Sequence, residues 1–344
     1  MKSKDNKQPT IEQWAELYKI AKNIRTLSPW DYLWESNFFT IMLPGHEEPI
    51  FCSIMGQAGE CYAIGIYPGY KSILSFYRLN EYAEDFTAIS AGFEQDCLMC
   101  FFGDREEVMP EDRKVYKALD IRFRGRNEWI YFRAMDPGYL PWHINTEQCD
   151  LLIQVMQNLQ IALENYINNE ITVDFNNNEM VLRSYSPENE VWINSAEKIP
   201  PIPEEVQKII INNDLLPAQM KKRKCNGVRL ELEAAYVPTP IRENKKDRPY
   251  LPTLILMADK GDSIIVGQRL LSNNDDISIS ILDMLADYMK EYGKPISINV
   301  RDSRIGRHIE DLCQKTGIKL IEKEGIPTID GMMMQMLGFM DAIF

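Results

Sequence analysis

The sequence predicts an α+β protein built from two domains. Segments in which apolar residues recur every three or four positions, as in an amphipathic helix, are interspersed with short runs rich in β-branched and aromatic residues, as in a strand. The chain has 344 residues, enough for two domains at ~100–200 residues each. Residues 199–203, of sequence IPPIP, form a rigid extended connection. We assign residues 1–200 to a mixed N-terminal domain, 201–225 to a linker with a short helix and a basic run, and 226–344 to a C-terminal domain.

The first predicted element is an amphipathic helix from Ile11 to Leu27. Its apolar residues, Trp14 among them, fall on one stripe, and Thr10 is placed to cap its N-terminus. The strand-like runs after it are separated by Gly and Pro, which predicts an antiparallel meander. The other elements predicted in this domain are strands at 38–43, 49–55, 61–67, 97–102 and 128–135, helices at 70–82, 110–119 and 146–168, and short strands at 171–175, 179–185 and 190–194, with a turn at 176–178.

The linker and the C-terminal domain follow a regular order of elements. A short helix is predicted at 204–211, before the basic run 221–224. From there the order is βββαβαβα, and Gly293 and Gly317 mark the ends of two of its helices. The predicted elements are strands at 228–237, 252–258 and 263–271, a helix at 277–292, a strand at 296–300, a helix at 304–316, a strand at 318–322 and a helix at 328–340.

This order resembles the ribonuclease H-like fold, which includes the cores of integrases and transposases, over residues 226–340. A local similarity adds to it, because a strand ending at Val300 leads to Asp302, and Gly317 and Ile318 open the next strand, as is common in integrase-like domains. The resemblance implies carboxylates that converge on two metal ions and support phosphodiester chemistry.

Two carboxylates are the candidates for such a metal site. Asp259 and Asp302 each follow a strand, and we expect these strands to be parallel neighbours that place both acids at one end of the sheet. The first strand carries Glu231 and Glu233 where active members of the fold have Asp. The pattern therefore favours a non-catalytic copy, in which Asp302 caps the helix after it and Asp259 is satisfied by the adjoining turn.

A wider resemblance covers almost the whole chain. It rests on the helix that contains Trp14, the run SPWDYLW from Ser28 to Trp34, the sequence CSIMG from Cys52 to Gly56 with Gly59 and Glu60, and the sequence IYPG from Ile66 to Gly69. These motifs are similar to an uncharacterised bacterial family, in which a Trp-rich half precedes a half similar to the stretch from Arg248 onward. The resemblance implies two domains and a bacterial source, and it brings no activity or catalytic residues.

The charge of the chain argues against nucleic acid as a partner. Asp and Glu number 51 against 38 Lys and Arg, so the formal net charge is −13. Such a chain repels a phosphate backbone, and we do not expect it to bind nucleic acid. The segment 221–248 is an exception, with 9 Lys and Arg against 4 Asp and Glu. Its run Lys221 to Lys224 is interpreted as solvated linker, with an anionic ligand as the alternative.

Cysteine usage and hydropathy predict a cytoplasmic protein. The 7 cysteines are odd in number, and several, such as Cys52, lie in apolar stretches, which suits buried thiols in a reducing compartment. No apolar run approaches the ~20 residues that a membrane-spanning helix needs. We therefore expect no interaction with a membrane.

Cys97 and Cys100 have the CxxC spacing of a redox or zinc motif. A structural zinc ion needs two further ligands, and no paired Cys or His lies nearby in the sequence. The apolar residues around both cysteines predict a buried strand, where a thiol stays protonated and unreactive. Core packing is the favoured interpretation.

The aromatic run around Trp30, Tyr32 and Trp34 is a candidate ligand site. Tryptophan and tyrosine offer large stacking faces, and Asp31 and Glu35 supply negative charge for a cationic group. The alternative is an apolar lid that ties the first helix to the sheet. The sequence does not decide between them.

Alternating arginines form a second candidate site. Arg122, Arg124 and Arg126 fall on one side of an extended segment, where they are able to bind a phosphate or carboxylate through charge-assisted hydrogen bonds. The alternative is a solvated strand face whose arginines pair with the abundant Asp and Glu.

The function favoured by the sequence is that of a non-catalytic binding or interaction protein of the bacterial cytoplasm. Its partner is expected to be an unidentified protein or small ligand, with Trp30, Tyr32, Trp34, Arg122 and Arg124 as contact residues. Neither a metal ion nor another cofactor is expected. The alternative is a metal-dependent, nuclease-like enzyme that uses Asp259 and Asp302.

Overall fold

The computed structural model of the chain describes residues 7–81, 92–202, 208–212, 215–245 and 247–341. The chain divides into two compact units. The N-terminal unit comprises Met1–Glu81, Glu94–Pro137 and Pro141–Pro203, and the C-terminal unit comprises Tyr82–Phe93, Gly138–Leu140 and Glu204–Phe344. Each unit combines helices with one mixed β-sheet, so the predicted α+β class is confirmed.

The N-terminal unit contains a sheet of seven strands. They are β1 (Phe39–Met42), β2 (Ile50–Met55), β3 (Ala63–Pro68), β4 (Cys97–Gly103), β5 (Trp129–Met135), β6 (Glu179–Ser186) and β7 (Val191–Lys198). Their order across the sheet is β5-β4-β3-β2-β1-β6-β7. β1 and β6 are parallel, and the other neighbours are antiparallel, so the predicted antiparallel meander is confirmed.

Helices cover both faces of this sheet. They are α1 (Ile11–Leu27), α2 (Gly69–Glu81), α3 (Pro110–Ala118) and α4 (Thr146–Ile167). As predicted, Thr10 caps α1, and its hydroxyl accepts a hydrogen bond from the Gln13 amide. The Trp14 stripe of α1 packs with α4 on one face of the sheet. α2 contacts β3 and β2 and covers the other face.

The end of the N-terminal unit differs from the prediction. The stretch 171–175 forms no strand and leads into a 3-10 turn at Phe175–Asn177. β6 pairs with β1 on one side and β7 on the other, so the hairpin turns at 187–190 instead of 176–178. A strand at 171–175 has no free sheet edge beside β6. Its apolar side chains pack against the core without one, namely Ile171, Val173 and Phe175.

The C-terminal unit contains a sheet of five strands. They are β8 (Arg229–Tyr236), β9 (Thr253–Asp259), β10 (Ile264–Leu271), β11 (Ser297–Val300) and β12 (Lys319–Glu322). Their order is β10-β9-β8-β11-β12. β9 is antiparallel to both β8 and β10, whereas β11 is parallel to β8 and β12. β8, β10, β11 and β12 therefore run in one direction, and β9 runs in the other.

The helices of this unit lie on both faces of its sheet. They are α5 (Leu215–Lys221), α6 (Ile277–Tyr292), α7 (Ser303–Thr316) and α8 (Pro327–Asp341). α5, α6 and α7 enclose one core cluster with the sheet. α8 covers β8 and β9 on the opposite face. In the part of the chain that the structure describes, no helix has the length and apolar character needed to cross a membrane.

The linker also differs from the prediction. Residues 203–207, which include much of the helix predicted at 204–211, lie outside the described residues. The described residues 208–212 are not helical. The Ile211 amide donates a hydrogen bond to Asp311, and the Ile211 carbonyl accepts one from Lys315. Because both partners lie on α7, this segment is held by side chains of another element instead of by its own helical hydrogen bonds.

Candidate functional site

Trp30 belongs to the core of the N-terminal unit. It lies in a 3-10 turn after α1 and is only 8% exposed. Its ring packs edge to face against Tyr62, with 5.1 Å between ring centroids, and lies 5.3 Å from the ring of Phe102. Trp30 therefore ties the end of α1 to the sheet. This burial favours the packing alternative for Trp30 over a ligand groove.

Tyr32 and Trp34 lie at the surface. They are 53% and 50% exposed, and within the described residues neither ring has an aromatic neighbour. The Trp34 backbone amide donates a hydrogen bond to Asn37, which orders the loop that carries both rings. The structure thus separates the predicted trio into one core residue and two exposed rings. Their role as ligand contacts stays a prediction.

Arg122, Arg124 and Arg126 are exposed on the extended connection between α3 and β5. The residues that alternate with them, Ile121 and Phe123, pack against the core. In an extended backbone successive side chains point to opposite sides, so packing of the apolar residues places the arginines on the solvent side. Burial of one side of this segment therefore places Arg122 and Arg124 on the same side, whereas Arg126 lies in the turn that begins at Gly125, whose φ is +103°.

A cavity of about 530 Å³ opens beside these arginines. Its apolar wall consists of Phe123 and Trp129, whose ring centroids are 5.9 Å apart. It is an open surface depression and not an enclosed cleft. The full lining comprises Asp104, Arg105, Glu106, Phe123, Arg124, Gly125, Arg126 and Trp129.

The arginines of this cavity are weakly neutralised. Arg126 lies 3.7 Å from Asp104, and its side chain is 92% exposed, so the pair contributes little. Within the described ranges, no carboxylate lies at ion-pair distance from Arg124. The charge of Arg124 is therefore available to an incoming anion.

Two lysines of α1 extend the positive charge. The Lys22 ammonium group lies 5.5 Å from the centroid of the Phe123 ring. Lys19, three residues earlier, lines a smaller cavity of about 290 Å³ that also contacts Ile121. We call the six cations of this region the basic surface; they are Lys19, Lys22, Arg105, Arg122, Arg124 and Arg126.

Three of these six cations were not found from the sequence. Lys19 and Lys22 come from α1, and Arg105 comes from a turn after β4, so nothing in their spacing relates them to Arg124. The one sequence feature that could have indicated Lys19 and Lys22 is the polar face of α1 opposite Trp14, a face to which the sequence assigned no partner. Five carboxylates, Asp104, Glu106, Glu107, Asp120 and Glu128, lie on the same segments as the six cations, and Glu128 pairs with Arg25. The region therefore has a small excess of positive charge in a chain whose net charge is −13.

Asp259 and Asp302 do not meet. Asp259 ends β9 and pairs with Leu230, near the start of β8. Asp302 follows β11, whose last residue Val300 pairs with Leu232. Asp302 is thus about four residues, roughly 13 Å, farther along the direction of β8. The expectation that β9 and β11 are parallel neighbours is wrong, because β8 lies between them and β9 runs the other way.

Each of these two carboxylates has a local partner instead. The Asp259 carboxylate accepts a hydrogen bond of 2.7 Å from the Gly261 amide in the following turn. The Asp302 carboxylate accepts one of 2.8 Å from the Arg304 amide at the start of α7, and it also pairs with the Arg304 guanidinium group. The predicted capping role of Asp302 is confirmed. These contacts give no support to a shared metal ion.

The other two acids considered for a metal site also have structural partners. Glu231 is fully buried, and its Oε2 accepts hydrogen bonds from the amides of Thr328 and Ile329 at the start of α8. Glu233 lies 3.3 Å from the Nε atom of Arg301. Within the described ranges, no three His, Cys, Asp or Glu side chains are grouped so that they are able to hold a metal ion.

Cys97 and Cys100 pack in different parts of the core. Both lie on β4, three residues apart, so their side chains point to opposite faces of the sheet. Cys97 belongs to the cluster under α2, and Cys100 to the cluster under α1 and α4. Burial raises the pKa of both thiols well above its ordinary value. The two sulfur atoms therefore do not share a ligand, and the packing interpretation is confirmed.

Comparison with protein families assigns both halves of the chain to domains without a known function. Residues 14–183 match a domain of unknown function (DUF7309), and residues 216–337 match another domain of unknown function (DUF6930). No curated protein matches the chain. The first match contains the entire basic surface, and the second contains Asp259 and Asp302. The chain is thus a two-domain protein of uncharacterised families.

Proposed function

We propose that this two-domain chain is a non-catalytic binding protein of the bacterial cytoplasm, and that its N-terminal unit binds an acidic segment of another protein at the basic surface. The observation that carries the proposal is the concentration of six exposed cations in one region of a chain of net charge −13, where Arg105, Arg124 and Arg126 line one cavity and Lys19 and Lys22 line another. A local field of opposite sign to the rest of the molecule attracts an anionic partner and orients it.

The distribution of charge favours a protein segment over a nucleic acid. Asp104, Glu106 and Asp120 interrupt the cations, so the positive charge occurs in short stretches. In a polypeptide the carboxylates can be spaced so that they lie opposite the cations and away from these acids. The phosphates of a nucleic acid are regularly spaced, so some of them would lie opposite the acids and be repelled. The negative charge of the whole chain also opposes a long polyanion.

The aromatic wall of the cavity indicates that the partner segment carries apolar side chains beside its acidic residues. Phe123 and Trp129 are half-buried and offer apolar contact beside Arg124. An acidic residue next to a leucine or phenylalanine matches this arrangement, because the apolar side chain is removed from water while the carboxylate meets the guanidinium group. The partner we infer is therefore an acidic segment that carries apolar side chains.

The proposed location rests on the thiols. Five of the cysteines are buried and free, as expected in a reducing compartment: Cys52, Cys97, Cys100, Cys149 and Cys313. The bacterial source rests on the resemblance of the sequence motifs alone. Tyr32 and Trp34 are proposed as further contact residues because both rings are exposed.

Fluorescence anisotropy with a labelled peptide of alternating Glu and Leu residues tests this function. The double variant Arg124→Glu/Arg126→Glu should weaken binding at least about tenfold. The matched control is Lys222→Glu/Arg223→Glu, which changes the net charge equally at two exposed residues of the basic run. The control should change binding less than about twofold.

Two results would contradict the proposal. One is equal weakening by both double variants, because that would show a response to net charge and not to the basic surface. The other is tighter binding of a labelled DNA duplex than of the acidic peptide at physiological salt. Retained binding by the control and loss in the Arg124→Glu/Arg126→Glu variant would support it.

A further inference from the structure

Arg183 is a buried cation in the middle of the N-terminal sheet. It lies on β6, pairs with Ile41 of β1 and Asn194 of β7, and is 6% exposed. Its Nε atom donates a hydrogen bond of 2.8 Å to Asn158 on α4, and its Nη1 atom donates one of 3.0 Å to Asn194. Both partners are neutral amides. The guanidinium group is therefore oriented by the protein but not neutralised by these contacts.

No carboxylate compensates this charge within the described residues. Arg133 in the same sheet shows the usual solution, because it is equally buried and pairs with Asp112 through two hydrogen bonds. No described carboxylate lies within ion-pair distance of Arg183, and the guanidinium group also contacts the ring of Trp192, whose centroid is 5.2 Å from the Cζ atom. Burial lowers the pKa of Arg183 below its usual value. Burying a charge without a counter-ion is energetically unfavourable, and an anion bound beside Arg183 would offset this cost.

The free side of the guanidinium group is its Nη2 atom. Nη2 donates no hydrogen bond to a described residue. The fully buried side-chain atoms without a hydrogen-bond partner do not include Nη2, so solvent reaches this atom. Nη1 and Nη2 together form the planar fork that holds two oxygens of one carboxylate. The Asn158 amide is itself fixed by a hydrogen bond to the Gln154 carbonyl. The donors are thus held in place before any ligand arrives.

We propose that Arg183 is the binding residue of a second site, separate from the basic surface, which takes the carboxylate group of a small molecule. A single buried positive charge is matched by a monoanion, whereas a phosphate dianion would leave excess negative charge among apolar side chains. Trp192 packs against the guanidinium group and against Tyr185, at 5.6 Å between ring centroids. These two rings give the rest of the ligand an apolar surface.

A purely structural role explains part of this arrangement. Stacking on Trp192 and hydrogen bonds to Asn158 and Asn194 connect β6, β7 and α4. A neutral side chain with hydrogen-bonding groups would make such a connection without the cost of a buried charge. A carboxylate-binding role explains why this position has a charged guanidinium group instead of a neutral side chain.

Thermal unfolding of the full chain in increasing sodium acetate, at constant ionic strength, tests this site. The expected result is a saturable rise of the midpoint, about 5 °C when acetate exceeds its dissociation constant about 100-fold. Asn194→Asp places a carboxylate beside Arg183, so it should raise the midpoint without acetate and abolish the response. Arg183→Met should abolish the response as well, and Arg223→Met, at an exposed arginine outside the basic surface, should retain it.

The design separates the site from a general salt effect. An unsaturable rise, or no rise, in the unchanged chain would overturn the proposal. An acetate response that persists in Asn194→Asp would also overturn it, even if Arg183→Met does not fold. A short peptide with a free C-terminal carboxylate, compared with its amide, identifies the source of the carboxylate. Equal effects of acetate and peptide assign the site to small carboxylates, and a stronger effect of the free peptide assigns it to chain termini.

Discussion

Arg133 and Asp112 form a buried ion pair in the N-terminal unit. The two guanidinium amino groups of Arg133 donate hydrogen bonds of 3.0 and 2.6 Å to the two carboxylate oxygens of Asp112, and the side chains are 3% and 6% exposed. Asp112 also accepts a hydrogen bond from the Met109 amide at the start of α3. The pair thus joins α3 to β5, next to the segment that carries the basic surface.

We predict that Asp112→Asn destabilises the chain by about 3–5 kcal/mol, because it leaves the Arg133 charge buried without a counter-ion. Asp120→Asn is the matched control. Asp120 pairs with Arg122 at 3.6 Å between two largely exposed side chains, and its loss should cost less than about 1 kcal/mol. Urea unfolding of both variants measures the difference. Equal costs would show that the Asp112–Arg133 pair is not a special stabilising contact.

The second prediction separates the members of the aromatic run. Trp30→Ala removes a core side chain and should cost about 3–5 kcal/mol of unfolding free energy. Trp34→Ala removes a ring that is 50% exposed and should change stability by about 0.5 kcal/mol or less. Guanidinium unfolding of the two variants provides the comparison. A Trp34→Ala variant that is as unstable as Trp30→Ala would contradict the described packing.

The third prediction concerns Glu233 and pH. Burial raises the pKa of Glu233 from 4.5 to about 7, against the opposing effect of Arg301. Between these values the folded state binds more protons than the unfolded state, so the unfolding free energy should fall as pH rises through this window, by up to about 3 kcal/mol. Glu233→Gln should flatten this dependence in urea unfolding from pH 5 to pH 8. An unchanged slope in the variant would contradict the assignment of the titration to Glu233.

The fourth prediction tests the capping role of Asp302. Its carboxylate accepts from the Arg304 amide in the first turn of α7, and Asp302→Ala should cost about 1 kcal/mol. Asp302→Ser retains a capping oxygen and should recover much of this loss. Thermal unfolding of both variants measures it. If instead Mn²⁺ binds the unchanged chain at micromolar concentration and binding is lost in Asp259→Asn and in Asp302→Asn, the metal site has been wrongly excluded.

The elements of the fold were largely predictable because their signals are local. Thr10 and the Trp14 stripe determine α1 through capping and periodicity. The short strand predicted at 171–175 failed because its apolar residues are as compatible with packing against a core as with pairing. Two segments, 171–175 and β6, are candidates to pair with β1, and β6 occupies that position. The local pattern of either segment does not show which of the two pairs.

The candidate sites were only partly predictable, for a related reason. An irregular turn has no periodicity, so nothing distinguishes the buried Trp30 from the exposed Tyr32 and Trp34 in the sequence. The expectation for Asp259 and Asp302 required strand directions, which the order of elements leaves open. Sites assembled from distant segments have no local signal. Arg183 is an example, since its two amide partners lie 25 residues before it and 11 after it.

Binding of an acidic segment at the basic surface is the central claim, and hydrogen–deuterium exchange tests its location most directly. The full chain is compared with and without a saturating peptide of alternating Glu and Leu residues. We predict slower exchange in residues 104–107 and 119–129, which carry Arg105, Arg122, Arg124 and Arg126, with no change in the basic run 221–224. Unchanged exchange in both predicted segments while the peptide is bound, as shown by anisotropy in the same buffer, would contradict the claim.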